Sequence, residues 1–341
     1  MERLTTDLDR DSSASPSYVA QASAGVCSDD TPIVFNINTG AIKIQDWALQ
    51  HRQQVLELLQ RHGAVLLRGL KVNSSKKFSE VLTNLFDSEL LEYRYRSTPR
   101  TGMKGNVYTA TEYSCDEVIQ QHNENAYSDS WPDYLGFLCL IEPEQGGRTP
   151  ICDSREIYRQ LPREIVSAFE EKGVMYVRNY GDVDLPWQEV FQTTEKQDVE
   201  AYCQAHSLRF IWLPGDRLRT IQVNPAVQIH PQTQERIWFN QAHLFHVSSF
   251  AQAEQDALLQ SYGEKGLPRN AYFGDGSPIP LEYLQQIRQT YERNLRSFDW
   301  QKNDLLLLDN LKFTHGREPF VGNRKILVGM VKPSADLNRT N

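Results

Sequence analysis

Two separate stretches carry residues that could hold a metal ion together. The first contains His122 and Glu124, with one residue between them, and the second contains His315, much later in the chain. On an extended strand, side chains two positions apart leave the same face, so His122 and Glu124 would project together. Two imidazoles and one carboxylate form the facial triad of non-haem Fe(II) oxygenases, which leaves coordination positions open. The pattern therefore indicates an open iron site, provided that the fold brings His315 to the pair.

A His-x-Glu pair alone is weak support, since a histidine is more often a structural or solvated side chain than a ligand. Arg324, nine residues after His315, strengthens the interpretation because it adds a fixed cation in the same part of the chain. Two other histidines, His243 and His246, are three positions apart and could mimic a ligand pair. They follow a predicted strand rather than an assured helix, so we interpret them as wall or structural residues.

Composition restricts the class of protein. With 341 residues, 40% of them hydrophobic, the chain could form one large domain or two small ones. The formal net charge of -8 argues against nucleic acid and anionic membrane surfaces as partners. No apolar run approaches the roughly 20 residues of a transmembrane helix, and the first residues lack the apolar core that a signal peptide would have, so we expect none. Five cysteines without C-x-x-C spacing are typical of a reducing compartment, so we expect a cytoplasmic protein.

The hydrophobic pattern predicts many short strands with turns between them. Helices are expected near the front, including one from Trp47 to Arg61 that ends at Gly63, and in inserts. We predict an α+β, mainly β fold whose core is a double-stranded β-helix, or jelly roll, with flanking and inserted helices. Residues 1–31 are predicted to form a flexible leader and residues 32–341 a single domain, with a helical insert at about 183–207.

Four motifs occur in a fixed order along the chain: His122-x-Glu124, Gly146-Gly147-Arg148-Thr149, His315-Gly316-Arg317 and Arg324-Lys325-Ile326. In this order they resemble the taurine dioxygenase/clavaminate synthase-like (TauD/TfdA) family of Fe(II)- and 2-oxoglutarate-dependent oxygenases. The runs at residues 107–113, 238–243 and 274–277 are similar to its syringomycin-biosynthesis hydroxylase-like branch. The resemblance covers roughly residues 33–333.

The resemblance implies a jelly-roll fold, Fe(II) as cofactor, and 2-oxoglutarate and O2 as cosubstrates. It implies that His122, Glu124 and His315 bind the metal and that Arg324 and Thr149 bind the far carboxylate of 2-oxoglutarate. Arg324 suits that role because a guanidinium can meet a carboxylate with two parallel hydrogen bonds. The adjacent Lys325 should point away, because successive strand residues face opposite sides.

The implied reaction is hydroxylation of an unactivated C–H bond, with release of succinate and CO2. Radical halogenases that resemble this family have Gly or Ala in place of the carboxylate ligand, so Glu124 favours hydroxylation over halogenation. Taurine dioxygenase and clavaminate synthase have a second, substrate-binding Arg where this chain has Val328. Val328 therefore puts taurine in doubt as a substrate. The resemblance to the syringomycin-type branch implies an amino acid as substrate, free or tethered to a peptidyl carrier protein, in specialised-metabolite biosynthesis.

Four residues are candidates for contact with that substrate: Arg100, Tyr113, Asn125 and Asn240. Arg100 belongs to a cation cluster with Arg94, Arg96 and Lys104, which is either a solvated loop or a loop on the substrate side. A carrier protein would dock there, whereas a free amino acid would place its carboxylate on one of these arginines.

Two alternatives stay open. The enzyme could be a catabolic dioxygenase of a small sulfonate or aryloxy acid, which Val328 disfavours, or the chain could be a non-catalytic jelly-roll binding protein. The sequence leaves undecided which amino acid and which carbon react. It also leaves undecided whether desaturation or cyclisation replaces hydroxylation, and what the oligomeric state is.

Overall fold

The computed structural model describes residues 18–21, 32–93, 95, 98, 100–111, 113–181 and 184–332. The predicted leader lies outside the described residues except for residues 18–21, which form a strand. Arg94 and Arg96 of the predicted cation cluster also lie outside them.

Nineteen strands occur in the described part of the chain. In chain order they are β1 Tyr18–Gln21, β2 Ile33–Asn38, β3 Ala64–Arg68, β4 Gly102–Met103, β5 Val107–Thr109, β6 Ile119–His122, β7 Tyr134–Ile141, β8 Gln145–Gly146, β9 Ile151–Asp153, β10 Val174–Tyr180, β11 Arg209–Leu213, β12 Arg217–Asn224, β13 Val227–Ile229, β14 Arg236–Trp238, β15 Arg269–Phe273, β16 Leu305–Asp309, β17 Phe313–Arg317, β18 Phe320–Val321 and β19 Lys325–Val331.

The same residues contain ten α-helices. They are α1 Ile44–Gln50, α2 Arg52–His62, α3 Ser75–Phe86, α4 Ser154–Gln160, α5 Arg163–Lys172, α6 Trp187–Phe191, α7 Lys196–Ala205, α8 Ala242–Phe245, α9 Gln252–Gly266 and α10 Leu281–Arg293. None of these helices has the length and apolar character that crossing a bilayer requires.

The largest sheet has eight strands in the order β1-β2-β3-β16-β7-β19-β5-β4, and only β2 and β3 run parallel. Its strands send alternate side chains to opposite faces. On one face Leu67, Leu307 and Leu327 pack against α1 to α3, which cover that side. On the other face Leu308, Val328 and their neighbours form a second apolar layer. The helices therefore leave the second face available for a site.

A three-stranded sheet, β6-β17-β9, supplies His122 and His315 to a cavity that the large sheet also lines through Phe137 on β7 and Ile326 on β19. A site between two sheets is the arrangement that the predicted jelly roll requires.

Of the other strands, β13 pairs with β14, β8 pairs with β18, and four form a further sheet. A four-stranded antiparallel sheet, β11-β12-β10-β15, packs with helices around a large aromatic core that includes Phe169 and Trp187. The helical insert expected at about 183–207 comprises α6 and α7, which lie between β10 and β11 in the chain.

One helix differs from its prediction. The segment expected as a single helix from Trp47 to Arg61 is divided between α1 and α2 at His51. The His51 ring stacks on Trp47, and its backbone N–H and Nδ1–H both donate to the Trp47 carbonyl. His51 itself, with φ -105° and ψ 8°, lies between the two helices. Gly63 ends α2 in the left-handed conformation (φ 74°), as predicted.

Candidate metal centre and active site

The two histidines lie on neighbouring strands. His122 ends β6 and is directly paired with His315 on β17, and the ring centroids are 4.3 Å apart. Gly316 permits this pairing, because a Cβ at that position would lie 2.5 Å from the Ile119 carbonyl oxygen. Strand pairing thus places both imidazoles on one side of the small sheet.

Glu124 is positioned differently from the prediction. β6 ends at His122, so Glu124 lies in the following turn rather than on the same strand. The reason is that Asn310 replaces a strand partner: its Oδ1 accepts from the Glu124 N–H at 2.8 Å, and its Nδ2 donates to the Glu124 carbonyl at 3.0 Å. Asn310 is fully buried. This amide clamp connects the turn to the loop just before β17.

We expect Asn310→Ala to lower the free energy of unfolding by about 3 kcal/mol, since it leaves buried backbone groups of Glu124 and Pro132 without partners. Metal affinity should fall as well, because the turn that carries Glu124 loses its anchor. Chemical denaturation and a metal titration measure the two effects. Asn73→Ala, at an exposed position, is the control. Wild-type values for both quantities in Asn310→Ala would contradict this role.

The donor set fits a divalent transition metal. Within the described residues, one ligand atom from each of His122, Glu124 and His315 lies within 4.8 Å of the others. Nδ1–H of His122 donates to the Gln120 carbonyl at 2.8 Å, which leaves Nε2 free as a ligand, a common arrangement at metal-bound histidines. Burial lowers the pKa of His122 and holds that of His315 well below its ordinary value. Both imidazoles are therefore neutral near pH 7 and able to donate an electron pair.

Arg100 makes a contact that the sequence did not predict. Its Nη2 donates to Oε2 of Glu124 at 2.8 Å, and both side chains are buried. The guanidinium also lies over the Tyr93 ring, 4.6 Å from the centroid. Its Nε and Nη1 have no hydrogen-bond partner among the described residues. Arg100 thus lines the cavity, pairs with Glu124 through Nη2, and keeps two buried nitrogens without a partner among the described residues.

The cavity beside the histidines is lined by both cationic and apolar side chains. Arg100, Thr149, Arg317 and Arg324 lie along it with both histidines, while the apolar residues are Ala110, Ile119, Phe137, Ile326 and Val328. Arg324 directly precedes β19, and Ile326 and Val328 follow it at alternate positions; Lys325 is not among the lining residues, which agrees with the prediction that it points away. Val328 is fully buried at the position where taurine dioxygenase would have its second Arg.

Arg324 has the environment of an anion-binding residue. Its Nε donates to the Gly147 carbonyl at 2.9 Å and its Nη2 to Thr149 Oγ1 at 3.3 Å. Among the described residues it forms no ion pair, and burial together with the nearby Arg317 lowers its pKa to about 10. Arg324 is half-buried, and a partly desolvated cation without a counter-ion favours binding of an external anion.

Thr149 is oriented by a residue that the sequence did not identify. Its Oγ1 accepts from Trp300 Nε1 at 3.0 Å and from Arg324, so its own hydroxyl hydrogen remains available as a donor. Trp300 lies before β16, far from every motif, and no local pattern marks it. The one clue in the sequence was the indole N–H, because a buried indole nitrogen normally has a hydrogen-bond partner. The structure shows that Trp300 is buried.

Arg317 supports the rim of the cavity. It donates to the carbonyls of Tyr113, Ser114 and Glu117, and its guanidinium lies 5.2 Å from the centroid of the Phe320 ring. The donors are therefore largely committed to the backbone of the 113–117 loop. Its role here is to hold that loop rather than to bind a ligand.

Of the four predicted substrate residues, the cavity wall contains Arg100 but not the other three. Tyr113 is partly exposed on the loop that Arg317 holds. Asn125 follows Glu124 with a positive φ of 59° and accepts from the Tyr127 hydroxyl. Asn240 is buried and bonds the backbone of Ala226 and Ala242.

His243 is a buried structural residue that does not line the cavity. Its Nε2–H donates to the Gln121 carbonyl at 3.3 Å, and its ring stacks on Tyr291. Burial and Arg288 lower its pKa to about 3. It stays neutral and supports the β6 strand that carries His122.

The family described as taurine catabolism dioxygenase TauD, TfdA family matches residues 29–331. The chain belongs to this family. It is therefore a non-haem iron, 2-oxoglutarate-dependent dioxygenase, and the family resemblance seen in the motifs is confirmed.

Two relatives extend the comparison. Dapdiamide synthesis protein DdaC of Enterobacter agglomerans is 39% identical over 278 residues, which is 81% of this chain and 84% of that protein. A clavaminate synthase-like protein of Arabidopsis thaliana is 32% identical over 287 residues, 81% of this chain and 83% of the relative.

Solved structures agree on the fold. PvcB from Pseudomonas aeruginosa matches with a TM-score of 0.52 and 14% identity, covering 95% of this chain and 94% of that chain. AAD-2 in complex with Mn(II) and N-oxalylglycine matches with a TM-score of 0.51 and 11% identity, covering 94% and 98%. At these identities the likeness concerns the fold alone, and it confirms the jelly-roll architecture of the TauD/TfdA family.

Proposed function

We propose that this TauD/TfdA enzyme hydroxylates an unactivated C–H bond of a free amino acid or a closely similar small acid in specialised-metabolite biosynthesis. The observation that carries the proposal is the cavity itself, where the histidines of the donor set lie among three arginines and several apolar side chains. The relative DdaC is named for dapdiamide synthesis, which supports a biosynthetic role.

In this proposal His122, Glu124 and His315 hold Fe(II). When bound, the metal with 2-oxoglutarate and O2 supplies the oxidising chemistry, and CO2 and succinate are released. The chain's own residues supply binding and orientation. Arg324 and the Thr149 hydroxyl hold the far carboxylate of 2-oxoglutarate, and Trp300 keeps that hydroxyl pointing towards it. Phe137 and Val328 exclude water from one side of the cavity.

Charge supports an anionic substrate. The cavity would contain Fe(II), Arg100 and Arg324 against the charges of Glu124 and the two carboxylates of 2-oxoglutarate. The charge of Arg317 is offset by Glu117 and Asp116, which lie near it. One positive charge then remains without a partner, and an enclosed unpaired charge is unfavourable. A single carboxylate on the substrate would compensate it.

Arg100 is the residue proposed to bind that carboxylate, because Nε and Nη1 of its guanidinium have no hydrogen-bond partner among the described residues. A substrate tethered to a carrier protein has its carboxylate in a thioester, which removes the negative charge. Tyr113 at the rim and Asn125 beside Glu124 are proposed as further contacts, and Asn240 as a residue that shapes the wall.

The test compares free and carrier-bound forms of a panel of amino acids, with succinate release and product mass as readouts. We expect kcat/KM to favour the free acid. In Arg100→Ala, measured with saturating Fe(II), we expect a lower kcat/KM for the free acid. The decrease should correspond to a loss of about 2 kcal/mol or more of transition-state stabilisation. Arg163→Ala, an exposed position, is the control. A preference of about a hundredfold for the carrier-bound form, roughly 2.7 kcal/mol, would contradict the free-acid proposal.

A further inference from the structure

Two side chains, Arg100 and His315, lie near the same oxygen of the Glu124 carboxylate. Its Oε2 lies 2.8 Å from Arg100 Nη2 and 3.7 Å from His315 Nε2. The Arg100 and Glu124 side chains are 4% and 3% exposed, so water does not screen the pair. Arg100 therefore binds the same Glu124 oxygen that lies near His315.

Arg100 is held in this place from a second side. The face of its guanidinium lies over Tyr93, and the Tyr93 backbone N–H donates to the Tyr108 hydroxyl at 2.8 Å. Glu124 is held independently, through the Asn310 clamp on its backbone. Because the clamp does not involve Arg100, removal of the Arg100 charge should leave the position of Glu124 largely unchanged.

We propose that Arg100 sets the affinity of the site for its metal ion, and that its positive charge weakens metal binding. Two effects act in the same direction. A cation beside the carboxylate stabilises the site before the metal binds, since an unpaired buried carboxylate would be costly. The same cation repels a divalent ion held by that carboxylate. The inference rests on the proposed ligand set, and it makes Arg100 a positioning residue that keeps the bound metal exchangeable.

The experiment is a titration with Co(II), which suits the same nitrogen and oxygen donors as Fe(II). It is performed without 2-oxoglutarate or substrate, with a competing chelator. Arg100→Gln keeps an N–H donor for Glu124 but removes the charge, so we expect Co(II) to bind at least tenfold more tightly, about 1.4 kcal/mol. Arg100→Lys keeps the charge and should bind Co(II) within about threefold of the wild type. Arg163→Gln changes the net charge equally at an exposed position and should leave affinity unchanged.

Thermal unfolding supplies a second readout. Without metal, Arg100→Gln should unfold at a lower temperature than the wild type, and Co(II) should raise its Tm by more than it raises that of the wild type. A general loss of structure would weaken Co(II) binding instead, so the tighter binding distinguishes a charge effect from damage. Unchanged or weaker Co(II) binding in Arg100→Gln would overturn the proposal.

The same titration separates this inference from the proposed function. His315→Ala should lose the saturable Co(II) site. If the wild type lacks that site, or if His315→Ala retains it, the proposed ligand set is wrong. The inference about Arg100 is then wrong as well, because it depends on that ligand set. If the site depends on His315 but Arg100→Gln does not tighten it, the ligand set stands and only the inference about Arg100 is wrong.

Discussion

Replacement of His315 by alanine should abolish Fe(II) binding and substrate oxidation. His315 provides one of only two imidazoles in the proposed donor set, and a buried site with one imidazole and one carboxylate would hold the metal poorly. Loss of a residue that merely supports a ligand typically costs 10- to 100-fold, so loss of the ligand should lower turnover by at least about 100-fold. His122→Ala and Glu124→Ala should behave alike. Metal analysis after dialysis and succinate release are the measurements.

His206→Ala is the matched control, because that histidine pairs with Asp129 at the surface, on a different element. It should keep wild-type iron content and turnover. Stoichiometric iron together with full activity in His315→Ala would remove His315 from the metal site. The same result in His122→Ala or Glu124→Ala would remove that residue.

Arg324→Ala should raise the KM for 2-oxoglutarate strongly while the fold survives. Removal of one partner of a charge-assisted pair should cost about 2 to 5 kcal/mol of cosubstrate binding. The fold should tolerate the change, since Arg324 bonds one carbonyl and one hydroxyl and forms no ion pair among the described residues. Initial rates over a range of 2-oxoglutarate concentrations measure the KM, and thermal unfolding checks the fold.

Lys325→Ala is the control for Arg324→Ala. The two cations are adjacent in the chain, but Lys325 lies on the other face of the strand, so its loss should leave the KM nearly unchanged. An unchanged KM in Arg324→Ala, with a raised KM in Lys325→Ala or Arg317→Ala, would transfer the role to the second cation.

Local rules accounted for many of the elements. The N-cap of α3 was predictable because Ser74 precedes an amphipathic run, and its hydroxyl accepts from the Lys77 N–H as such caps do. The end of α2 was predictable from Gly63. The division between α1 and α2 was not, because it depends on how the His51 ring lies against Trp47, and residue spacing does not encode that contact.

The candidate site shows the same limit. His122, Glu124, His315 and Arg324 were identifiable from residue type, order and spacing, because metal and carboxylate chemistry restricts which side chains can serve. The turn that carries Glu124 was not, since it depends on a bond to Asn310, which is remote in sequence.

The sequence by itself determined the family, the jelly-roll architecture and the residues that could perform the chemistry, because these follow from local patterns and ordered motifs. Only the tertiary structure decided the partners of those residues. Arg100 was a candidate substrate-binding residue, and the fold places its guanidinium against the Glu124 carboxylate. Trp300 belonged to no motif, and folding places it on Thr149. The physical reason is that a buried charge or donor without a partner costs free energy. Strand pairing between distant segments decides which partner is near.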